Sequence, residues 1–179
     1  MTPIFTDQFN RSNSNTVGNS WVEINHDTNE VAIVGNALKL SGQALNALGT
    51  VAAPDAAVTH TISTLGYHEV NVQFTWAPLA SSEASDILGF AWKKSTDSTY
   101  TNLGTFALGG NRTYTTASFD LGALAANTSI DLRFWTNVNE DNEGAMIDSV
   151  TVSAVPEPTS FALLGIGLLG AGMARRRKS

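Results

Sequence analysis

Apolar and polar residues alternate along several short stretches of this chain. In residues 69–76 every second side chain, from Val70 to Trp76, is apolar, and the positions between them hold Glu, Asn, Gln and Thr. A period of two is typical of a β-strand that buries one face. We therefore predict a strand here, ending at Pro78.

Shorter segments of the same kind predict the remaining strands. Two apolar runs, 31–34 and 37–40, flank Gly35 and Asn36, which tolerate positive φ and so suit a two-residue hairpin turn. Residues 44–57 are the one segment that suits a helix, and glycine and proline interrupt it. Further strands are predicted at 86–92, 99–106, 112–119 and 130–134.

An all-β chain has to hide the unpaired edges of its sheets, either by closing one sheet or by stacking two. We therefore predict an all-β fold, a jelly-roll β-sandwich over residues 1–154.

Composition narrows the chemistry of this domain. The 179 residues are 42% hydrophobic and 15% charged and include no cysteine, which excludes disulfides, thiolate metal sites and thiol catalysis. A net charge of -6 and a pI near 4.9 argue against a nucleic-acid partner. The sequence contains no nucleophile elbow, zinc-protease helix or phosphate loop.

The end of the chain, from Pro156 on, has a different pattern. A Pro-Glu-Pro motif precedes an uncharged run at 159–174, which as a helix would span about 24 Å, slightly less than the ~30 Å hydrocarbon core of a bilayer. We predict one short transmembrane helix, the alternative being a helix buried in the globular domain. The helix is followed by a basic cluster that should stay cytoplasmic, formed by Arg175, Arg176, Arg177 and Lys178.

This order of Pro-Glu-Pro motif, short hydrophobic helix and terminal basic cluster resembles the PEP-CTERM sorting signal of bacteria. The resemblance implies that an exosortase, a membrane-embedded cysteine protease or transpeptidase, recognises Pro156, Glu157 and Pro158 and that the helix is a transient anchor. It divides the chain into a body, 1–154, and a sorting signal, 155–179. It implies export, anchoring in the inner membrane, and then delivery to the cell surface or to an exopolysaccharide or biofilm matrix.

A protein sorted in this way should begin with a secretory leader. Residues 1–19 contain no apolar run, so we expect the true start to lie upstream of Met1.

Segments of the body resemble bacterial concanavalin-like jelly-rolls. Residues 7–11 (DQFNR) and 18–21 (GNSW) are similar to the opening strand of such domains, and residues 147–152 (IDSVTV) are similar to the closing strand. The resemblance supports the fold more than any activity.

Acidic residues near the end of the body suggest a structural cation. By its period-two register Asp148 should point into the core unless a bulge intervenes, and a buried carboxylate needs a partner. That partner is either Arg11, Arg133 or backbone amides, or a Ca²⁺ ion held by oxygen atoms of the acidic loop 137–144. The loop is not an EF-hand, since its twelfth position is Val150. The predicted calcium ligands are Asp148, Asp141, Asn139 and Glu143.

Aromatic residues offer a candidate ligand surface. Trp135 and Arg133 lie opposite the apolar face of the strand predicted around 130–134, so the indole would form an exposed platform for a sugar ring. We interpret the body as a structural or adhesive component of an exopolysaccharide matrix, without enzymatic activity. A carbohydrate-binding module for exopolysaccharide is the alternative. A glycoside hydrolase is a third interpretation, weakened because the sequence shows no compact pair of carboxylates.

Overall fold

The computed structural model describes residues 1–24, 29–42, 56–110 and 112–157. Within these ranges the chain forms eleven β-strands and one short 3-10 helix, Gly122–Ala125, and no α-helix. The strands are β1 (Thr2–Asp7), β2 (Val22–Ile24), β3 (Val31–Val34), β4 (Ala37–Ser41), β5 (Ala57–Ser63), β6 (Tyr67–Pro78), β7 (Ile87–Lys94), β8 (Thr101–Ala107), β9 (Thr115–Asp120), β10 (Ser129–Asn137) and β11 (Gly144–Pro156).

The strands form two antiparallel sheets that pack face to face. Sheet A has the order β3-β4-β11-β6-β9, with β1 also paired to β11, and sheet B has the order β2-β5-β10-β7-β8. Strands β4 and β1 share one edge of β11, since β4 pairs with residues 144–147 and β1 with residues 150–154. The all-β sandwich predicted from the sequence is confirmed.

The strand expected at 69–76 is the central part of β6, which ends at Pro78 as predicted. The predicted hairpin joins β3 to β4, and both turn residues have positive φ, 58° at Gly35 and 63° at Asn36. Strands β7 to β10 cover the other predicted segments, although β9 begins at Thr115 instead of residue 112. The helix considered at 44–57 falls almost wholly outside the described residues, and β5 begins at its last position.

A cluster of phenylalanine rings lies at the centre of the core between the sheets. Phe74 of sheet A meets Phe90 and Phe134 of sheet B, with ring centroids 5.1 and 4.9 Å apart, and the latter two stack at 5.0 Å. Each ring is almost completely buried. Because aromatic rings bury large areas and prefer particular contact angles, this cluster fixes how the two sheets face each other.

A buried carboxylate fixes the opening strand. Asp7 ends β1 and accepts two hydrogen bonds from the Arg11 guanidinium, at 2.9 and 3.0 Å. Burial alone would raise the pKa of this carboxyl, but its hydrogen bonds outweigh burial and lower the pKa to about 2. Arg11, one expected partner of Asp148, is therefore engaged elsewhere. Three further donors complete the group: Phe9 N (2.8 Å), Asn19 Nδ2 (2.9 Å) and Trp21 Nε1 (2.9 Å).

A β-bulge corrects the expected orientation of Asp148. Ile147 pairs with Trp76 and Ser149 with Thr75, so Asp148 is an extra residue with no counterpart in β6. The inward orientation predicted for Asp148 depended on the strand having no bulge; because the bulge is present, the side chain does not point into the core and is exposed. The bulge lies where the other edge of β11 changes partner from β4 to β1.

The two ends of the sandwich differ. Strand β11 runs through Pro156, which pairs with Tyr67, and the Glu157 N–H donates to the Gly66 carbonyl at 2.9 Å. The sheet thus continues past residue 154 into the Pro-Glu-Pro motif. We call this the tail end. The opposite end, where β6 stops at Pro78, is the far end, and β6 places it about 35–40 Å away at ~3.3 Å per residue.

Candidate functional site

Trp135 lies on the outer face of sheet B, toward the far end. It sits on β10 directly opposite Ala57 of β5 and Gly89 of β7. A Cβ at Gly89 would come within 2.0 Å of Trp135 Cε2, so the missing side chain is what lets the indole rest on the backbone of β7. The neighbours Phe134 and Thr136 are fully buried, while Trp135 is half-buried and offers one side to solvent.

Arg133 follows the same alternation and lies beside Tyr100. The Arg133 Cζ is 5.4 Å from the centroid of the Tyr100 ring, and Lys93 Nζ is 5.2 Å from it. Cations over an aromatic face are stabilised by the ring quadrupole. Burial, together with the charge of nearby Asp131, raises the pKa of the Tyr100 phenol. The buried Arg133 Nε has no hydrogen-bond partner among the described residues.

Asp131 extends this row toward the tail end. Its carboxylate accepts hydrogen bonds from Thr61 Oγ1 and Ser95 Oγ, both at 2.7 Å, and Lys93 Nζ lies 3.5 Å away. Burial favours a higher pKa, but these hydrogen bonds and the Lys93 charge lower the pKa of Asp131. Asp131 is therefore an ionised and fixed acceptor at neutral pH.

The face beside Trp135 is apolar. On β2, Ile24 pairs with Ala57 and Val22 with Thr59, which places both on the outside of the sheet. Ile24 is 40% exposed and Val22 61% exposed. Exposed apolar residues grouped beside fixed polar groups are typical of a binding surface. We call this surface the sheet B face: Val22, Ile24, Tyr100, Asp131, Arg133 and Trp135.

The sequence identified part of this surface. Trp135 and Arg133 were predicted as glycan contacts, and the structure places both on one outer face, whereas Trp21, Trp76 and Trp92 are only 6–8% exposed. Sequence reasoning did not predict Val22, Ile24 and Tyr100. They come from β2 and from the segment before β8, and only the strand register brings them beside β10.

The structure does not bring the four predicted calcium ligands together. Asp148 lies at the bulge, and Asp141 is exposed in the loop between β10 and β11. In the ranges that the structure describes, no group of three or more His, Asp or Glu side chains is arranged to hold a metal ion. Asp148 instead borders a shallow depression with Gln8, Asn10, Asn36 and Ser149.

Of the other two predicted ligands, Asn139 contacts both Glu143 and Asp86, and so links the two carboxylates. With its amide nitrogen turned toward the carboxylates, Asn139 donates to Asp86 Oδ1 at 3.0 Å and to Glu143 Oε2 at 3.3 Å. Asp86 also accepts the Glu83 N–H at 2.6 Å. Asp86 is 1% exposed and Glu143 2% exposed. This group joins the loop before β7 to the loop before β11 at the far end. Sequence reasoning missed Asp86, because its partners lie in a distant loop.

The sorting signal is described only at its start. Pro156 and Glu157 are exposed. Pro158, the predicted transmembrane helix 159–174 and the basic cluster 175–178 lie outside the described residues. Among the described residues we find no helix with the length and hydrophobicity that a membrane span requires.

Comparison with known sequences gives two results. Residues 154–178 match the family model of the PEP-CTERM protein-sorting motif. No curated protein sequence matches this chain.

Several solved structures share the fold. The K3 adhesin domain of Lys-gingipain from Porphyromonas gingivalis has a TM-score of 0.54 and 13% identity, over 85% of this chain and 99% of that chain. A CBM4 structure has a TM-score of 0.53 and 11% identity, over 82% and 97% of the two chains. The CBM22-1 xylan-binding domain of Paenibacillus barcinonensis Xyn10C has a TM-score of 0.50 and 8% identity, over 87% and 96%.

At these identities the likeness shows the fold alone, a jelly-roll sandwich of the kind found in carbohydrate-binding modules. The chain thus joins a jelly-roll body to a PEP-CTERM sorting motif, which indicates an exported protein that is processed by an exosortase.

Proposed function

We propose that the body is a carbohydrate-binding module that holds the exported protein on an extracellular polysaccharide, and that its role in the matrix is adhesive or structural. The observation that carries this is the Trp135 indole resting on Gly89 with Arg133 beside it. A flat apolar ring complements the C–H face of a pyranose, and the neighbouring charged groups suit its hydroxyls.

The position of the sheet B face supports the proposal. The sorting motif leaves the sandwich at the tail end, whereas Trp135 lies toward the far end, next to the pair of Asn137 and Ile87 that closes β10 and β7. A body tethered through its tail would hold this face away from the membrane and toward a polymer outside. Two of the similar structures are carbohydrate-binding modules and a third is an adhesin domain, which agrees with this role.

The acids that the fold brings together at the far end do not support the glycoside hydrolase interpretation. Asp86 and Glu143 are carboxylates that the fold brings together, but both are buried and both accept hydrogen bonds from Asn139. A glycosidase needs two carboxyl groups on either side of a bond in an open groove. Asp86 and Glu143 instead stabilise the loops at the far end.

Affinity electrophoresis of the detergent-solubilised full chain tests the proposal. We expect migration to be retarded in gels that contain a neutral polysaccharide such as xylan, galactan or a β-glucan. Trp135→Ala should weaken this binding about tenfold or more, the size of effect typical of a tryptophan hot spot. Leu65→Ala is the matched control, because it removes a 63% exposed apolar side chain at the tail end. Equal migration of the wild type and Trp135→Ala in every gel would contradict the proposal.

A second variant leaves the indole in place and moves it. Gly89→Ala puts a methyl group where the Trp135 ring now lies, so the ring has to lift away from β7. We expect a loss of binding comparable to that of Trp135→Ala, accompanied by a change in tryptophan fluorescence.

A further inference from the structure

A cleft lies on the outer face of sheet A, at the far end. Lys39 of β4, Met146 of β11 and Ala77 of β6 are cross-strand neighbours in one row. Tyr114 continues the row, since the next residue, Thr115, begins β9 beside β6. The small Ala77 leaves a depression of about 340 Å³ between larger neighbours. We call it the sheet A cleft, and the residues that line it include Lys39, Ala77, Pro78, Arg112, Tyr114 and Met146.

Two cations line the sheet A cleft. Lys39 reaches it from β4 and Arg112 from the segment before β9. Neither forms a salt bridge with a described residue, whereas Arg11 and Lys93 are paired with Asp7 and Asp131. Two positive charges that form no salt bridge with a described residue, against the single nearby acid Asp148, favour an anionic ligand.

The rest of the sheet A cleft is apolar and aromatic. Tyr114 is 49% exposed and Met146 is half-buried, and the buried Ala77 and Pro78 also line the cleft. Burial, and then the negative charge of Asp148, raises the pKa of the Tyr114 phenol, so it stays protonated at neutral pH. A phosphate or sulfate ion has no apolar face for this surface, and a neutral sugar has no charge for the two cations.

We propose that the sheet A cleft binds a uronate ring of an acidic polysaccharide. The C–H face of the ring packs against Tyr114 and Met146, and its carboxylate lies between Arg112 and Lys39. The site is on the opposite sheet from the sheet B face, so it stands independently of the function proposed above.

Calorimetric titration of the detergent-solubilised full chain, with tetragalacturonate as the probe, tests this. The fully methyl-esterified tetramer is the matched ligand, because it keeps the ring and removes the charge. We expect the acid to bind at least about tenfold more tightly than the ester, since a charge-assisted contact is lost. Equal affinities, or no binding of the acid, would overturn the proposal.

Variants locate the ligand. The double substitution Lys39→Gln and Arg112→Gln should lower the affinity for the acid about tenfold or more without changing the melting temperature. Lys94→Gln, which removes a positive charge at the tail end of β7, is the control and should change nothing. Asp148→Asn should strengthen binding, because it removes a negative charge near Tyr114. Wild-type affinity in the double variant would overturn the proposal.

Trp135→Ala separates the two surfaces. We expect this variant to lose the neutral polysaccharide and to keep tetragalacturonate. If it loses tetragalacturonate as well, the uronate binds on sheet B and the sheet A cleft is not its site.

Discussion

Two acids lie close together where β1 meets β11, and one of them is buried while the other is exposed. Asp7 pairs with Val150, two residues from Asp148 along β11. The Asp7 side chain is 3% exposed and accepts five hydrogen bonds, while Asp148 is the extra residue of a bulge and faces solvent. The difference shows that a carboxylate is buried where several hydrogen-bond donors converge on it. The alternation of a strand alone does not predict which acidic residue will be buried.

Replacing each acid by alanine should show the largest contrast. Asp7→Ala leaves the two terminal nitrogens of Arg11 and the Trp21 N–H without their acceptor, while Arg11 Nε keeps the Val17 carbonyl. We expect a loss of about 3 kcal/mol of unfolding free energy, the lower end of the range for breaking a buried pair, because Arg11 is 31% exposed. Asp148→Ala should stay within about 0.5 kcal/mol of wild type. Urea unfolding followed by tryptophan fluorescence measures both, and equal losses would break the comparison.

Acidification should also reveal the contribution of Asp7, through a smaller loss of unfolding free energy than the alanine substitution causes. The folded pKa of Asp7 is about 2 and its ordinary value is 3.8, so the unfolded chain binds the proton first as the pH falls. The stability that Asp7 contributes is complete above pH 4 and is lost as the pH falls toward 2. We expect a loss of about 2 kcal/mol from this group.

The controls for the acid titration are amide variants. Asp7→Asn should remove this step from the pH profile of the unfolding free energy, and Asp148→Asn should keep it. A profile that Asp7→Asn leaves unchanged would show that other carboxylates cause the acid instability.

Among single-residue deletions in β11, we expect the deletion of Asp148 to lower the stability of the fold least. Without it, Met146, Ile147, Ser149 and Val150 alternate regularly between the two faces of β11. We expect a folded protein that loses less than about 2 kcal/mol. Deletion of Thr151 is the matched control, because it turns Val152 outward and should unfold the sandwich. Circular dichroism melting measures both deletions.

The fold was predictable where one pattern held without interruption. Regular alternation predicted β6, and positive-φ residues predicted the turn between β3 and β4. The sequence also contains a signal for the bulge, but a search for regular alternation does not detect it. Ile147 and Val150 are both apolar and three residues apart, so they reach the same core only if the strand gains a residue between them.

The candidate site was predictable to the extent that it lies on one strand. Trp135 and Arg133 follow from the period of β10, but Tyr100 and Ile24 join them through pairings that no local pattern specifies. The sheet A cleft was missed for the same reason, since its row crosses β4, β11 and β6 and ends in the segment before β9. The sorting motif, in contrast, was predictable, because its parts follow one another along the sequence and can be recognised without knowing how the strands pair.

Within the residues that the structure describes, the last main-chain hydrogen bond along the chain is donated by Glu157, the middle residue of the sorting motif. A protease that takes its substrate as an unpaired extended segment requires this bond and the pair between Pro156 and Tyr67 to open first. The rate of maturation would then depend on how often the end of β11 frays. A body whose final strand is held more tightly should remain on its anchor for longer.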